Sequence, residues 1–134
     1  MIKGSCHCGA VAFSVRQLSG PIVHCHCATC RKTHSAPFAT TARVDRADFA
    51  WTKGEDTLRH YVSSPSKTRH FCGNCGAHLM AERQGQAHVI LRLGVLDTDP
   101  GARPSLHIWT SNDVGWLDYQ ADAPAWPEGE APSS

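Results

Sequence analysis

The chain has 134 residues, of which 19% are Asp, Glu, Lys or Arg, and a formal net charge of +1. That length suits one domain with its own core, and the scattered Lys and Arg offer none of the basic stripe that nucleic-acid binders carry. No apolar stretch approaches the ~20 residues of a membrane helix, and Met1-Ile2-Lys3-Gly4-Ser5-Cys6 lacks the basic segment and apolar run of a secretory leader, so a cytoplasmic protein is expected.

In chain order the elements read as mainly β. Gly9 to Val15 alternates Val11, Phe13 and Val15 with smaller residues, as a half-buried strand does. Gly20-Pro21 is a break, after which Ile22-Val23 leads into a cysteine cluster. Thr29 to Ser35 reads as a turn or a single helical turn. Pro37 to Val44 reads as a strand, and Asp45-Arg46-Ala47-Asp48 as a turn or short helix capped by Asp45. Phe49 to Thr52 and Thr57 to Val62 form an expected hairpin across Lys53-Gly54-Glu55-Asp56. Ser63 to Ser66 is a loop, and Thr68 to Phe71 enters another cysteine cluster. Ala77 to Arg83, Gln86 to Leu93 and Leu106 to Thr110 are further strands, broken at Gln84-Gly85 and over Asp97 to Pro104. Residues 1–120 are expected to form the folded domain. Residues 121–134, rich in Ala, Pro and Ser, form a C-terminal tail with the composition of a loosely attached segment.

Seven cysteines fall into three clusters: Cys6-His7-Cys8, Cys25-His26-Cys27-Ala28-Thr29-Cys30 and Cys72-Gly73-Asn74-Cys75. In a reducing compartment such clusters are metal ligands or catalysts rather than disulfides, and an odd number cannot all pair within one chain. Cys72-Gly73-Asn74-Cys75-Gly76 has the form of a zinc knuckle, in which Gly73 and Gly76 let the backbone turn toward the sulfurs. It supplies two ligands and needs a partner pair, for which Cys6 and Cys8, also followed by Gly, are the best candidates. Cys25, Cys27 and Cys30 then remain, three sulfurs on one loop with a fourth corner left for water, a histidine or a substrate. Zinc on three thiolates is a poor hydroxide generator but a good docking point for another thiolate, which points to sulfur chemistry. A second structural site closed by a histidine, or a set of oxidisable thiols, remains the alternative.

The three motifs resemble those of the glutathione-dependent formaldehyde-activating enzymes: Gly4-Ser5-Cys6-His7-Cys8-Gly9-Ala10-Val11, His24 to Lys32, and Arg69-His70-Phe71-Cys72-Gly73-Asn74-Cys75-Gly76. Pro104-Ser105-Leu106-His107-Ile108-Trp109 and Trp116 resemble the C-terminal half of the same family. The resemblance implies a zinc-containing β-tent, as in a Rab-binding chaperone and centromere protein V. It implies a structural zinc on Cys6, Cys8, Cys72 and Cys75, and a second, catalytic zinc on Cys25, Cys27 and Cys30. It also implies a carbon–sulfur lyase-type activity, joining a small thiol such as glutathione to formaldehyde or another small aldehyde. Ser35 stands where the family often has Gly. Because Ser disfavours left-handed backbone, the loop after the second cluster is expected to differ in shape.

Around the clusters, His24, His26, His34 and His70 are candidates to close the second zinc site or act as a base, while His107 reads as a packing or hydrogen-bonded residue. Arg31 and Lys32 are candidates to bind glutathione carboxylates. Trp51, Trp109 and Trp116 are expected in the core, and Trp126 to cover an apolar patch or meet a second copy in a homodimer. The competing functions are a non-catalytic zinc module that binds a protein partner, and a thiol-based sensor.

Overall fold

The computed structural model describes residues 1–117 and 123–128. Alternation of apolar and small residues builds β2 (Ala12–Val15), which pairs antiparallel with β1 (Ile2–Ser5) and β5 (Phe49–Lys53) in a three-stranded sheet. Val11, Phe13 and Val15 point into the core, with Phe13 stacked on Phe49 at 5.5 Å and met edge-on by Trp51 at 6.3 Å. Such aromatic pairs add to the stabilisation that burial alone provides.

The second sheet has seven strands among the described residues, in the order β10-β3-β4-β9-β8-β7-β6. They are β3 (Ile22–Cys25), β4 (Ala39–Asp45), β6 (Leu58–Ser64), β7 (Lys67–Cys72), β8 (His78–Arg83), β9 (His88–Arg92) and β10 (Pro104–Ile108). The neighbours are antiparallel except β10, which lies parallel to β3. The main core packs Val44, Leu79, Met80, Val89 and Leu91 of this sheet against Val11, Phe13 and Val15 of the smaller one. The architecture is mainly β and holds one helix of more than one turn among the described residues, α1 (Ala28–His34).

Several expectations change. Phe49–Lys53 and Leu58–Ser64 do not pair: the first joins β2 and the second joins β7. Gly54, at φ 69°, lies so close to the Ala10 carbonyl that a Cβ would collide with it. The 3-10 turn Glu55–Thr57 then carries the chain from one sheet to the other. β1 escaped the sequence reading because it is four residues long and contains Gly4, where a side chain would run into the Phe13 ring. Asp45 precedes the 3-10 turn Arg46–Asp48 but makes no side-chain cap. Trp51 packs against the core as expected. Trp109 and Trp116 do not, being 61% and 72% exposed. Of the tail over 121–134, only 123–128 lies within the described residues, and Trp126 is exposed there.

Candidate metal centres

Cys6 and Cys8 lie on the turn between β1 and β2, while Cys72 ends β7 and Cys75 lies on the turn from there to β8. Their backbones fold alike. Cys6 N–H bonds Val11 O at 3.0 Å, and Cys72 N–H bonds Ala77 O at 2.9 Å. Each turn closes on a glycine with left-handed backbone, Gly9 at φ 79° and Gly76 at φ 82°, which a side chain would strain. The four sulfurs lie within 4.8 Å of one another. Cys6 and Cys8 are 3.6 Å apart, and Cys8 and Cys72 are 3.9 Å apart. A tetrahedral ion with ~2.3 Å bonds to sulfur spaces its ligands about 3.8 Å apart, so the group fits one.

Donors surround these sulfurs. Val11 N–H reaches Cys6 Sγ at 3.3 Å, Asn74 N–H reaches Cys72 Sγ at 3.3 Å, and the Asn74 side-chain amide reaches Cys8 Sγ at 3.3 Å. The Ala77 N–H pulls the Cys75 thiol down to about 6, and the Ala10 N–H with the Asn74 amide lowers Cys8. Burial raises Cys72 instead. Amides aimed at sulfur favour the thiolate, the form that binds metal.

The second group forms where β3 runs into α1. Cys25 ends β3, Cys27 is the N-cap of the helix, and Cys30 is buried in its first turn. The Cys27 sulfur accepts the Cys30 N–H at 3.2 Å, so one cysteine of the group also starts the helix. The three sulfurs lie within 4.8 Å of one another. The helix is longer than the single turn expected. It ends at Ser35, which takes φ 50° and ψ 45° and gives its N–H to Arg31 O. Ser35 therefore adopts a left-handed shape, the conformation that glycine tolerates best.

Arg69 from β7 is buried beneath this group, at 1% exposure. Its Nη1 and Nη2 each stand 3.9 Å from Cys30 Sγ, its Nε donates to Ser63 Oγ at 2.9 Å, and its Nη1 donates to Thr33 Oγ1 at 3.3 Å. Hydrogen bonds from Cys25 and Cys27 bring the Cys30 thiol well below its usual range against the opposing effect of burial, with Arg92 and Arg69 assisting. Cys25, as donor to Cys30 and also buried, is raised in turn.

The three cysteines open on a cleft of about 1030 Å³. Arg43, Lys67, Arg69, Arg83 and Arg92 contribute to its lining, which among the described residues contains no Asp or Glu. Burial lowers the proton affinity of Lys67, and Arg69 beside it adds to the effect. Neither Arg31 nor Lys32, the basic residues nominated from the sequence, lines this cleft. Lys67 and Arg92 went unremarked in the sequence, and Arg69 entered only as part of a motif. Arg92 does carry a signal, a charge inside the apolar run Val89-Ile90-Leu91-Arg92-Leu93.

Among the described residues no histidine joins either cysteine group. His26, buried between two cysteines in sequence, is held by Asp113 Oδ1 at 2.8 Å and His107 Nδ1 at 2.8 Å. His24 pairs with Thr40 Oγ1 at 2.9 Å, His34 stands against His78 with ring centres 5.0 Å apart, and His70 lies 3.8 Å from Glu82. His107 is hydrogen-bonded, as its position on a strand suggested.

These features define a mainly β protein with two cysteine groups, of four and three sulfurs, that could each hold a metal ion. Among the described residues no helix is long and apolar enough to cross a membrane. The chain belongs to the glutathione-dependent formaldehyde-activating enzyme family, whose model matches residues 1–112. A Halomonas elongata protein with the provisional name of glutathione-dependent formaldehyde-activating enzyme is 27% identical over 130 residues, covering 90% of this chain and 82% of its own. A Rhodobacter sphaeroides protein of known crystal structure is similar in fold with a TM-score of 0.64 and 26% identity, covering 78% of this chain and 97% of that one.

Proposed function

We propose that this protein adds a small anionic thiol such as glutathione to formaldehyde or another small aldehyde, reversibly, with zinc on both cysteine groups. The observation that carries the reading is the three-sulfur group, one ligand short of a closed site, opening on a cleft whose charged lining is basic throughout among the described residues. Glutathione brings two carboxylates and a sulfur, the two features that such a cleft is suited to receive.

Cys6, Cys8, Cys72 and Cys75 would hold the structural ion. They tie the start of the chain to the turn after β7, and metal-binding free energy there becomes folding free energy. Cys25, Cys27 and Cys30 would hold the second. Zinc there supplies a lowered pKa for an incoming thiol and Lewis acidity toward an aldehyde oxygen. The remaining work falls to the chain. Arg43 and Arg83 receive carboxylates, for which a guanidinium offers a two-pronged donor. Arg69 fixes Cys30 and offsets the negative charge of clustered thiolates. In the reaction a carbon–sulfur bond forms, the carbonyl π electrons move to oxygen, and that oxygen gains a proton as the thiol loses one. We assign the proton delivery to Lys67, a cation in the cleft whose proton is loosened by burial.

Exchange NMR on formaldehyde and glutathione at equilibrium tests this directly. The protein is expected to accelerate exchange with the S-hydroxymethyl adduct. Cys30→Ser should abolish the acceleration and Lys67→Met should reduce it. Absence of any acceleration over the spontaneous rate, with glutathione and with other small thiols, refutes the proposal.

A further inference from the structure

A second cavity lies against the end of the helix and shares one lining residue, Arg92, with the cleft just described. It measures about 490 Å³ and is walled by the end of α1, the start of β4 and β8, and the 3-10 turn Leu93–Val95. Phe38, Leu93 and Val95 contribute apolar surface to it, while Arg92, His34 and His78 contribute nitrogens.

These nitrogens stand out because of what they lack. Arg92 is 4% exposed, and its Nε and Nη2 have no hydrogen-bond partner among the described residues. The same holds for His34 Nε2 and His78 Nδ1. Roughly 90% or more of buried polar groups in native proteins are partnered by protein or ordered water, so three such side chains around one cavity are placed to receive a polar partner. Among the described residues, none that lines that cavity is Asp or Glu.

The charge and shape specify the partner. Burial, with Arg92 nearby, pushes His34 down to about 3, so at neutral pH its ring is uncharged. A neutral imidazole donates through one nitrogen, and the tautomer chooses which. A guanidinium then gives the cavity its positive charge, the two imidazoles can add donors, and Phe38, Leu93 and Val95 supply apolar surface.

We infer that the cavity bounded by Arg92, His34 and His78 is a binding site for a small monocarboxylate with an apolar body. The carboxylate would meet Arg92 and the two imidazoles, and the apolar body would rest on Phe38, Leu93 and Val95. Such a site explains why Arg92, which also faces the cysteine cleft, leaves Nε and Nη2 unpaired beside two unpaired imidazole nitrogens. A charge-assisted contact is stronger than a neutral one, which sets the selectivity.

Benzoate and its uncharged isostere benzamide separate this from a merely hydrated cavity. Titrated into the zinc-loaded protein, benzoate is expected to shift the imidazole proton resonances of His34 and His78 saturably and to bind at least ~10-fold more tightly than benzamide. Arg92→Gln should remove that preference. His78→Leu keeps the guanidinium but deletes one donor and should weaken benzoate several-fold, which keeps the test intact if Arg92→Gln fails to fold. Equal binding of the two compounds overturns the inference, as does benzoate binding that leaves the His34 and His78 resonances unmoved. An unchanged affinity in His78→Leu likewise overturns it.

Discussion

Ser35 carries a measurable strain at the point where the second cysteine group is fastened. Its φ of 50° and ψ of 45° lie in the left-handed region, which costs an L-residue roughly 1–2 kcal/mol. Glycine pays nothing there in the folded state but loosens the unfolded chain by about 0.5–1 kcal/mol. Ser35 is exposed, so its side chain adds little packing to the balance. Ser35→Gly is therefore expected to stabilise the protein by about 0.5–1 kcal/mol, or roughly 2–4 °C in Tm for a domain of this size. Ser35→Val, with a branched Cβ in the same conformation, should lose at least ~1 kcal/mol. Urea unfolding of the zinc-loaded protein, followed by tryptophan fluorescence, reads both changes as midpoint shifts at constant slope. A destabilised Ser35→Gly, or a Ser35→Val as stable as the parent, refutes a left-handed Ser35.

Replacing a cysteine of the four-sulfur group should act differently from replacing one of the three-sulfur group. Cys72→Ser is expected to lower zinc stoichiometry and cooperative unfolding together, whereas Cys30→Ser should lower stoichiometry while leaving the main core folded, as mass spectrometry and calorimetry would record. Asn74→Ala deletes the 3.3 Å amide contact to Cys8 Sγ. A loss of ~10-fold in zinc affinity by chelator competition is expected, in line with other partners of ligating atoms. Acid should destabilise through the histidines. Burial holds His34 near 3, against 6.5 ordinarily, and lowers His24, His70 and His78 as well. The unfolded chain therefore takes up protons first, so this stability is complete above pH 6.5 and is lost as the pH falls toward 3. Unfolding curves for His34→Gln at fixed excess zinc should show a shallower decline over that range.

What the sequence reveals about this fold is mainly what is local. Val11, Phe13 and Val15 announce a strand through their alternation, and the Cys-x-x-Cys-Gly turn announces its geometry through Cys72, Cys75 and Gly76. The failures concern partners distant in the chain. Nothing between Phe49 and Val62 says that its two strands enter different sheets, because that choice depends on Ala10 meeting Gly54 and on Phe13 meeting Phe49. The basic floor of the cleft is hidden for the same reason. Lys67 and Arg69 come from β7 and Arg92 from β9, and only the folded sheet brings them under Cys30. Trp109 and Trp116 mislead because aromatic residues favour the core on average, whereas these two are exposed after the edge strand β10.

The central claim is that the second site lacks a sulfur and that a substrate thiol supplies it. X-ray absorption at the zinc edge tests it most directly. With two ions on groups of four and three cysteines, the average sulfur number should be about 3.5 per zinc for the protein alone and about 4 with saturating glutathione. A sulfur number that stays the same when glutathione is added, or that is already 4 without it, would contradict the account.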